Sequence, residues 1–257
     1  HAVARGKLRH HAHITTHGGR ARSILEDELV IDVAFVATPA ITAAGEISGS
    51  EGSSACGSLG YAIADIQKAK LVVAVTDNIV DHLHRPDIGG GFVDYIVEID
   101  QIGDPKGIVS GTTQVTKDPI GLKIAKDAAD LIEEVGLLQD GFSFQTGAGG
   151  ISLAVAAEVR QKMKEKQIKG SFGCGGITGY FVDMLEEGLF DELADTQCFD
   201  NVAVASIERN DRHKKISANT YANPNNPDHY AGKLDCVILG ASEIALNYNV
   251  NVTTGSD

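Results

Sequence analysis

The chain has 257 residues, of which 43% are hydrophobic and 22% are charged, an ordinary composition for a soluble folded protein. Lys and Arg number 22 against 35 Asp and Glu, and the resulting net charge of −13 argues against a broad binding surface for nucleic acid or anionic lipid. No run approaches the roughly 18 apolar residues of a membrane span, and the first residues lack the layout of a signal peptide. We therefore expect a cytoplasmic protein, here as an excerpt of a longer chain because it starts at His1 without Met.

The first half of the chain alternates strands with helices. Near-continuous apolar runs predict buried strands of a parallel sheet over 29–36, 71–76 and 95–99. Helical patterns cover 60–69 and 121–135, and the second helix has Asp118 as a cap with Pro119 in its first turn. The alternation predicts an α/β fold.

The pattern restarts after a boundary near 136–140, which predicts one domain over 1–136 and a second over 137–257. In the second half we expect strands at 141–145, 170–174 and 235–239, and helices at 151–166 and 180–187. The interval 219–232 contains two Pro and four Asn, which is typical of a loop.

A possible internal repeat links the two halves. Segment 32–36 aligns without gaps on 235–239, an offset of 203 residues, and the same offset places 45–48 on 248–251. Both copies read as an acidic start, a buried strand and a turn that returns to an extended segment. Coincidence is the alternative, because few residues are identical. A true repeat would mean that the chain holds the end of one domain and the beginning of the next.

Two glycine-rich segments follow predicted strands. Segment 146–150 leads from a strand into a helix, and 175–179 follows the next strand. Glycines let the main chain approach a ligand closely, and the N–H groups at a helix start favour an anion. Two such turns at neighbouring strand ends would line one crevice. The spacing fits neither a dinucleotide fingerprint nor a Walker loop, and close strand–helix packing is the alternative interpretation of both segments.

Histidines cluster at the start of the chain, at His10, His11, His13 and His17. A metal site is disfavoured because no Cys or carboxylate lies nearby in sequence. We interpret 17–20 as a loop that faces an anion, with Arg20 supplying the charge; an ordinary surface loop is the alternative.

Other polar groups carry weaker signals. Glu243 follows a predicted strand and is either a site residue or a solvated strand end, and the polar stretches 195–200 and 217–223 could orient a polycarboxylate or form turns. The four cysteines show no C-x-x-C pair and are interpreted as reduced, structural thiols. No G-x-S-x-G motif is present, which disfavours a nucleophilic hydrolase.

Several ungapped motifs, in order along the chain, carry a resemblance to a known family. They are GFSFQTGAGGISL at 141–153 together with 17–20, 56–61, 175–178, 197–200, 216–219 with 221–223, and 249–252 with 254–257. On these motifs the sequence resembles the citrate lyase α subunits of the CoA-transferase superfamily. The resemblance implies two open-sheet, mostly parallel domains of the CoA-transferase (NagB/RpiA-like) type, here truncated at both ends.

The resemblance also implies an activity. Members exchange acetate for citrate on the thioester of an acyl-carrier protein, the γ subunit, whose thiol belongs to a phosphoribosyl-dephospho-CoA group, or on CoA; a β subunit then cleaves the citryl-carrier. We expect a homo-oligomer with no metal and no covalently bound cofactor. CoA-transferases that form a glutamyl thioester have a Glu shortly after the strand at 170–174, whereas this sequence has 175–179 without a carboxylate. The departure favours direct transfer through an anhydride.

Candidate roles follow from the motifs. Residues expected at the reacting groups are Gln145, Gly149, Gly150, Thr178 and Glu243. Residues expected near CoA or the carrier thioester are Gly147, Ala148, Gly175, Gly176, His17 and Arg20. Residues expected near citrate are Asn219 and Asn223. Two other functions stay open: a transferase for citramalate, and a noncatalytic sensor of a CoA-like or sugar-phosphate effector on the same scaffold.

Overall fold

The computed structural model describes residues 6–7, 14–108 and 114–252. Within them the chain forms two parallel β-sheets with helices packed on them, a small mixed three-stranded sheet and a two-stranded antiparallel sheet. The elements up to residue 98 are α1 His17–Leu25, β1 Val33–Ala37, β2 Ala40–Thr42, β3 Ile47–Ser48, α2 Ile63–Lys68, β4 Leu71–Thr76, β5 Ile79–Val80 and β6 Tyr95–Glu98. The later elements are α3 Pro119–Glu134, β7 Phe144–Thr146, α4 Gly150–Lys166, β8 Gly170–Ile177, α5 Gly179–Glu186, β9 Phe190–Cys198, α6 Asn201–Arg209, β10 His213–Lys215, α7 Ala218–Ala222, β11 Cys236–Ile238, β12 Glu243–Ile244 and β13 Val250–Asn251. Short 3-10 helices lie at Pro105–Ile108 and Tyr230–Lys233.

The larger sheet has the order β10-β9-β8-β7-β11 and the smaller sheet the order β1-β4-β6, and all of these pairings are parallel. The α/β prediction is therefore confirmed. Helix α3 begins at the predicted cap, where Asp118 accepts a hydrogen bond from the Gly121 amide. Its buried Ala125 and Ala129 join the core of the larger sheet with residues of α4. The domain boundary at 136/137 stays a prediction.

The predicted repeat is confirmed in the local strand geometry. Strand β1 is followed by the hairpin β2/β3, and β11 by the hairpin β12/β13. Ile41 pairs with Ile47 in the first hairpin and Ile244 with Val250 in the second, the same offset of 203 residues on both strands. The turns also correspond, because Gly45 and Tyr248 both have a positive φ, of 81° and 64°.

Several local predictions were wrong. Residues 17–20 form the first turn of α1 and not a loop; Gly18 is required there because a Cβ would lie 1.6 Å from the Ala222 carbonyl oxygen of α7. Gly175 and Gly176 are not a turn, since β8 continues to Ile177. The interval 219–232 contains α7 and a 3-10 helix and is not a loop throughout.

The sequence patterns also missed several elements, among them β9, α6 and β10. The sequence of β9, FDELADTQC, has buried polar residues near its end that obscure the apolar pattern of a strand. Within the described ranges, no helix has the length and apolar character needed to cross a membrane.

Candidate functional site

Two adjoining cavities lie where the first half of the chain meets the ends of the larger sheet. The first cavity, of about 710 Å³, is lined by residues of α1 and α2 and by Gln197 and Ala218. The second cavity, of about 600 Å³, is lined by residues of the 56–62 segment, by Ala148 and by the end of β9. Tyr61, Ala62 and Gln197 line both cavities, so the two spaces share one wall.

The first cavity contains a positively charged side chain in an ion pair. Arg20 donates two hydrogen bonds to the carboxylate of Asp65, at 2.8 and 2.7 Å, while 44% of its side chain stays exposed. The hydrogen bond with Asp65 raises the pKa of Arg20 above its ordinary value, so the guanidinium keeps its charge at any physiological pH. The His17 ring packs against the Tyr61 ring with a centroid separation of 4.9 Å. Burial raises the pKa of Tyr61 to about 12, which keeps its hydroxyl protonated.

The second cavity is bordered by a segment that approaches β9 very closely. A Cβ at Gly57 would lie 2.2 Å from the Cys198 Sγ, and a Cβ at Gly60 would lie 2.3 Å from the Ile216 carbonyl oxygen. Only glycine allows this contact between the two halves of the chain. Between them Ser58 lines the cavity with a buried hydroxyl that has no hydrogen-bond partner among the described residues.

The cysteines at this cavity are poor nucleophiles. All four cysteines of the chain are free thiols, as predicted. Burial, followed by the negative charge of Asp87, raises the pKa of Cys56 to about 11, and burial together with Asp195 raises that of Cys198 further above its ordinary value. Since the thiolate is the reactive form, neither residue is activated at neutral pH.

Gln145 and the glycines of β8 lie side by side. Gln145 is buried, and its Nε2 donates a hydrogen bond to the Tyr221 hydroxyl at 2.7 Å. A Cβ on Gly175, which has φ +102°, would lie 2.8 Å from that Nε2, and a Cβ on Gly176 would lie 2.0 Å from the Phe199 ring. The ends of β7 and β8 are therefore adjacent, and the two glycines make room for side chains that pack over them.

A bulge at the end of β9 turns Gln197 toward the cavities. Gly175 pairs with Asp195 and Gly176 with Gln197, so Thr196 is the extra residue in β9. Asp195 lies fully buried beneath this bulge and accepts hydrogen bonds from the Gln197 amide at 2.7 Å and from the Cys198 thiol at 3.0 Å. The Nε2 atom of the buried His213 contacts the same carboxylate at 3.1 Å. These bonds fix the direction of the chain at Gln197.

The start of α4 borders the second cavity through Ala148. Gly149 is the cap residue of α4 and provides no side-chain hydrogen bond to the first turn. Gly147 donates its N–H to the Ile238 carbonyl at 2.9 Å, and the Gly150 carbonyl accepts from Thr116 at 3.0 Å. The helix start thus has no side-chain cap and lies next to the cavity wall, an arrangement suited to negative charge.

The remaining predicted site residues do not line either cavity. Thr178 is buried at the start of α5, and its hydroxyl has no hydrogen-bond partner among the described residues. The Asn223 Nδ2 donates to the Asn219 Oδ1 at 2.7 Å and closes the end of α7. Glu243 lies exposed on β12 and accepts a hydrogen bond from Asn251 at 3.0 Å.

His17, Arg20 and Ala148 are thus the predicted residues that the structure brings to the two cavities. His10, His11 and His13 lie outside the described residues. Within the described ranges, no three His, Cys, Asp or Glu side chains are grouped in a way that could hold a metal ion.

Sequence reasoning did not assign roles to the residues of the shared wall. Tyr61 and Gln197 each stand inside a quoted motif, but a lone Tyr and a lone Gln carry no chemical pattern of their own. Asp65 was hidden within a helix pattern 45 residues from its partner Arg20. Tyr61 and Asp65 come together with Gln197 only because the two halves of the chain are in contact.

Two parallel sheets with helices packed on them are the architecture that this protein shares with the CoA-transferase fold. The 4-hydroxybutyrate CoA-transferase of Porphyromonas gingivalis has the same fold, with a TM-score of 0.56 and 16% identity over 85% of this chain and 53% of that chain. A crystal structure of the citrate lyase α subunit of Streptococcus mutans, in complex with citrate, is far more similar: its TM-score is 0.93 and its identity 45%, over 98% of this chain and 50% of that chain.

The family model for the α subunit of citrate lyase (CitF) matches residues 1–257, and the chain belongs to this family. The citrate lyase α chains of Klebsiella pneumoniae and Escherichia coli are each 44% identical to it over 256 residues, covering 99% of this chain and 50% of each relative. The chain therefore spans about half the length of the curated relatives that it matches. The family expected from the sequence motifs is confirmed.

Proposed function

We propose that the protein containing this chain is a transferase that exchanges acetate for citrate on a carrier thioester. The observation that carries the proposal is the pair of cavities with Tyr61, Ala62 and Gln197 as their common wall. Two substrates could occupy them side by side, with their reacting groups in contact where the two cavities adjoin. The family membership and the citrate found in the crystal structure of the S. mutans relative support citrate as one of the two.

Citrate is assigned to the first cavity. A chain with net charge −13 repels a tricarboxylate in general, so binding needs local positive charge. Arg20 lies at the cavity wall in an ion pair with Asp65, and the N–H groups that Asp65 leaves exposed can donate to a carboxylate of citrate. His17 and the hydroxyl of Tyr61 add hydrogen-bonding groups to the same space.

The acyl end of the carrier thioester is assigned to the second cavity. The N–H groups of the first turn of α4 would stabilise the oxyanion that forms when the thioester carbonyl is attacked. In this proposal Ala148 borders the reacting carbonyl. Gln145, Gly147, Gly149, Gly150, Gly175 and Gly176 do not line the cavity and retain their predicted roles as proposals. Thr178, Glu243, Asn219 and Asn223 retain their predicted roles as proposals, the last two at the citrate side.

The proposed chemistry takes place between the two substrates. A carboxylate oxygen of citrate attacks the acetyl carbonyl, a C–O bond forms, the C–S bond breaks and the carrier thiolate leaves. The thiolate then attacks the citryl carbonyl of the mixed anhydride, a new C–S bond forms, and the breaking C–O bond releases acetate. One carboxylate enters and another leaves, so the exchange needs no net proton transfer.

This route needs no nucleophile from the protein. The pKa values of Cys56 and Cys198 are raised by burial, and segment 175–179 contains no carboxylate. Alignment of two bound reactants can contribute roughly 7–11 kcal/mol to rate acceleration, which is enough for an efficient catalyst. The protein's contribution is then to hold the reactants together and to stabilise the oxyanion.

The proposal includes the wider assembly. The carrier would be an acetyl-acyl-carrier protein, the γ subunit, with a phosphoribosyl-dephospho-CoA thiol, and free CoA would serve as its surrogate. A β subunit would cleave the citryl-carrier that is formed. The complete protein would act in the cytoplasm as a homo-oligomer within this complex, without a covalently bound cofactor.

The test is acetate release by the complete polypeptide supplied with acetyl-CoA. We expect release that depends on citrate and is slower with citramalate or malate. Borohydride treatment during turnover should leave no modified carboxylate on the protein, because no enzyme thioester forms. Ligand binding without acetate release would refute the transferase assignment, and a trapped glutamyl adduct would refute the direct route.

A further inference from the structure

We propose that the buried ion pair between Lys215 and Asp87 is a positioning device that fixes the 49–60 segment against the second cavity. Lys215 is the last residue of β10 in the larger sheet, and Asp87 lies in the connection between β5 and β6. The role of the cavity in thioester binding rests on the proposed function, whereas the positioning itself does not.

The pair is buried and has several partners. The side chains of Asp87 and Lys215 are 1% and 8% exposed, and the Lys215 Nζ lies 2.9 Å from the Asp87 Oδ2. The same ammonium donates to the Ser48 hydroxyl at 3.1 Å and to the Arg85 carbonyl oxygen. The four groups join β10 directly to the end of β3.

Asp87 also holds both ends of the segment. Its Oδ2 accepts from the Gly49 amide at 2.8 Å and its Oδ1 from the Leu59 amide at 2.9 Å. The Gly49 carbonyl in turn accepts from the amides of Cys56 and Gly57, at 2.8 and 2.9 Å. One carboxylate therefore closes the segment, and Lys215 anchors that carboxylate to the larger sheet.

The segment fixed in this way lines the second cavity with Cys56, Ser58 and Leu59. Without Lys215, Asp87 would be a buried charge without its cation, and such a group moves toward water. Its movement would take the amides of Gly49 and Leu59 with it and would shift the cavity wall. A displacement of about 1 Å in a reactant's position can cost on the order of 100-fold in rate.

The kinetic test uses Lys215→Met in the complete polypeptide, with Lys215→Arg as the conservative variant. We expect Lys215→Met to raise the KM for acetyl-CoA and lower kcat, with kcat/KM reduced about 10- to 100-fold. The KM for citrate should change less than the KM for acetyl-CoA, because the first cavity shares only Tyr61 and Ala62 with the chain that follows the segment, and its other lining residues lie elsewhere. Lys215→Arg should restore most of the activity. Lys214→Met is the matched control, since Lys214 is exposed and pairs with Glu192.

Alkylation of Cys56 by iodoacetamide, followed by peptide mass spectrometry, reports on the segment without relying on activity. We expect the rate to rise at least about 10-fold in Lys215→Met and to be unchanged in Lys214→Met, because a displaced segment exposes the thiol. If Lys215→Met fails to fold by circular dichroism, the Asp87→Asn/Lys215→Met double variant replaces it, since it leaves no buried charge. Faster Cys56 alkylation is expected there too, because the asparagine NH2 group cannot accept the hydrogen bond that one of the Gly49 and Leu59 amides now donates.

The outcomes separate the two proposals. Unchanged Cys56 alkylation in the folded variant overturns the positioning role, whatever the kinetics show. Faster alkylation combined with a wild-type protein that releases no acetate supports the positioning role and refutes the transferase function. Equal changes in the KM for citrate and for acetyl-CoA would also overturn the proposal, because they indicate a general loss of structure.

Discussion

Arg20 combines an exposed guanidinium with a fixed orientation, and both follow from its neighbours. The helix start places it at the wall of the first cavity, and Asp65 holds two of its nitrogens. A charge-assisted hydrogen bond to a bound carboxylate contributes about 1.5–3 kcal/mol. The side chain is therefore expected to contribute mainly to citrate binding, and less to the chemical step.

Arg20→Gln should raise the KM for citrate about 10- to 100-fold and change kcat by less than about threefold, because the lost hydrogen bond acts on the bound substrate. Citrate-dependent acetate release by the complete polypeptide measures both constants. Arg22→Gln is the control, since Arg22 lies in the same helix and pairs with Glu26 and Glu28. An unchanged KM in Arg20→Gln would place citrate in another part of the protein.

At the residue scale the sequence identified Arg20 as a charged site residue, but it did not reveal the residues that surround it in the cavity. The glycines beside Arg20 indicated a special backbone, and the structure shows that Gly18 serves the contact with α7. Tyr61 and Gln197 escaped notice because their importance comes from distant segments that meet at one wall. A local sequence pattern does not show which distant segments come into contact.

Helix α1 depends on its close contact with α7. A Cβ at position 18 would overlap the Ala222 carbonyl oxygen, so the backbones of the two helices touch. Alanine favours a helix over glycine by about 1 kcal/mol, whereas overpacking costs about 1–3 kcal/mol and more where the neighbour is backbone. The steric penalty dominates, because neither helix can move without disturbing the first cavity.

Gly18→Ala should therefore lower the free energy of unfolding by about 1–3 kcal/mol, as measured by urea denaturation. Gly89→Ala is the matched control, because a Cβ at Gly89 meets nothing within 4 Å. The control should change stability by less than about 0.5 kcal/mol. Equal stability of the two variants would contradict the close helix contact.

An ion pair joins α4 to the end of α5 and makes stability depend on pH. The Arg160 Nε and Nη2 atoms donate to the Glu187 carboxylate at 2.8 and 2.6 Å. These hydrogen bonds lower the pKa of Glu187 from 4.5 to about 2. A carboxyl whose pKa is lower in the folded state stabilises the fold above its unfolded pKa and loses that effect as pH falls from about 4.5 to about 2.

Glu187→Gln should destabilise the protein at pH 7 by at most about 1 kcal/mol, since the pair is largely solvated. The difference from wild type should shrink as pH falls below 4.5 and vanish only below about pH 2, where Glu187 is protonated and as uncharged as the glutamine of the variant. Thermal unfolding at several pH values measures it. A difference that stays constant over this range would show that the ion pair is not its source.

Element prediction succeeded where apolar runs and caps were explicit and failed where polar residues were buried. Strand β4 has the predicted bounds, and α3 begins at its Asp118 cap. Strand β9 was missed because two of its fully buried positions, Asp195 and Thr196, carry polar residues, which interrupt the apolar pattern expected of a buried strand. Their burial follows from the network with His213 and from the bulge, which no local pattern reveals.

The repeat at the scale of the whole molecule has a consequence for stability. Gly45 and Tyr248 occupy the same place in two equivalent hairpins, and both have a positive φ. A side chain in this region costs on the order of 1 kcal/mol, and Tyr248 is 86% exposed, so its side chain gains little from packing.

Tyr248→Gly should raise the free energy of unfolding by about 0.5–1 kcal/mol, because it removes this strain. Gly45→Ala should lower it by about 1–2 kcal/mol, since it introduces the strain next to Val93. Urea denaturation of the complete polypeptide tests the pair. Effects of the same sign would contradict the equivalence of the two turns.

The two halves of the molecule are also joined at Arg85. Its guanidinium donates to the Ile207 carbonyl, to the Asn210 carbonyl at 3.2 Å and to the His213 carbonyl at 3.1 Å. The Ile207 and Asn210 carbonyls lie at the end of α6, where the helix leaves them without intrahelical partners, and the His213 carbonyl lies at the start of β10. A side chain from the first half thus caps a helix of the second.

Arg85→Met should lower the free energy of unfolding by about 2–4 kcal/mol, because the partly buried carbonyls lose charge-assisted hydrogen bonds. It should also accelerate proteolysis at the α6–β10 connection, which the guanidinium now holds closed. Arg209→Met is the control: Arg209 lies in α6 but donates to Ala205 within its own helix. If both variants resist urea and proteolysis equally, Arg85 does not join the halves, and the contact between them depends instead on Lys215, on the glycines of the 49–60 segment and on the packing of α1 against α7.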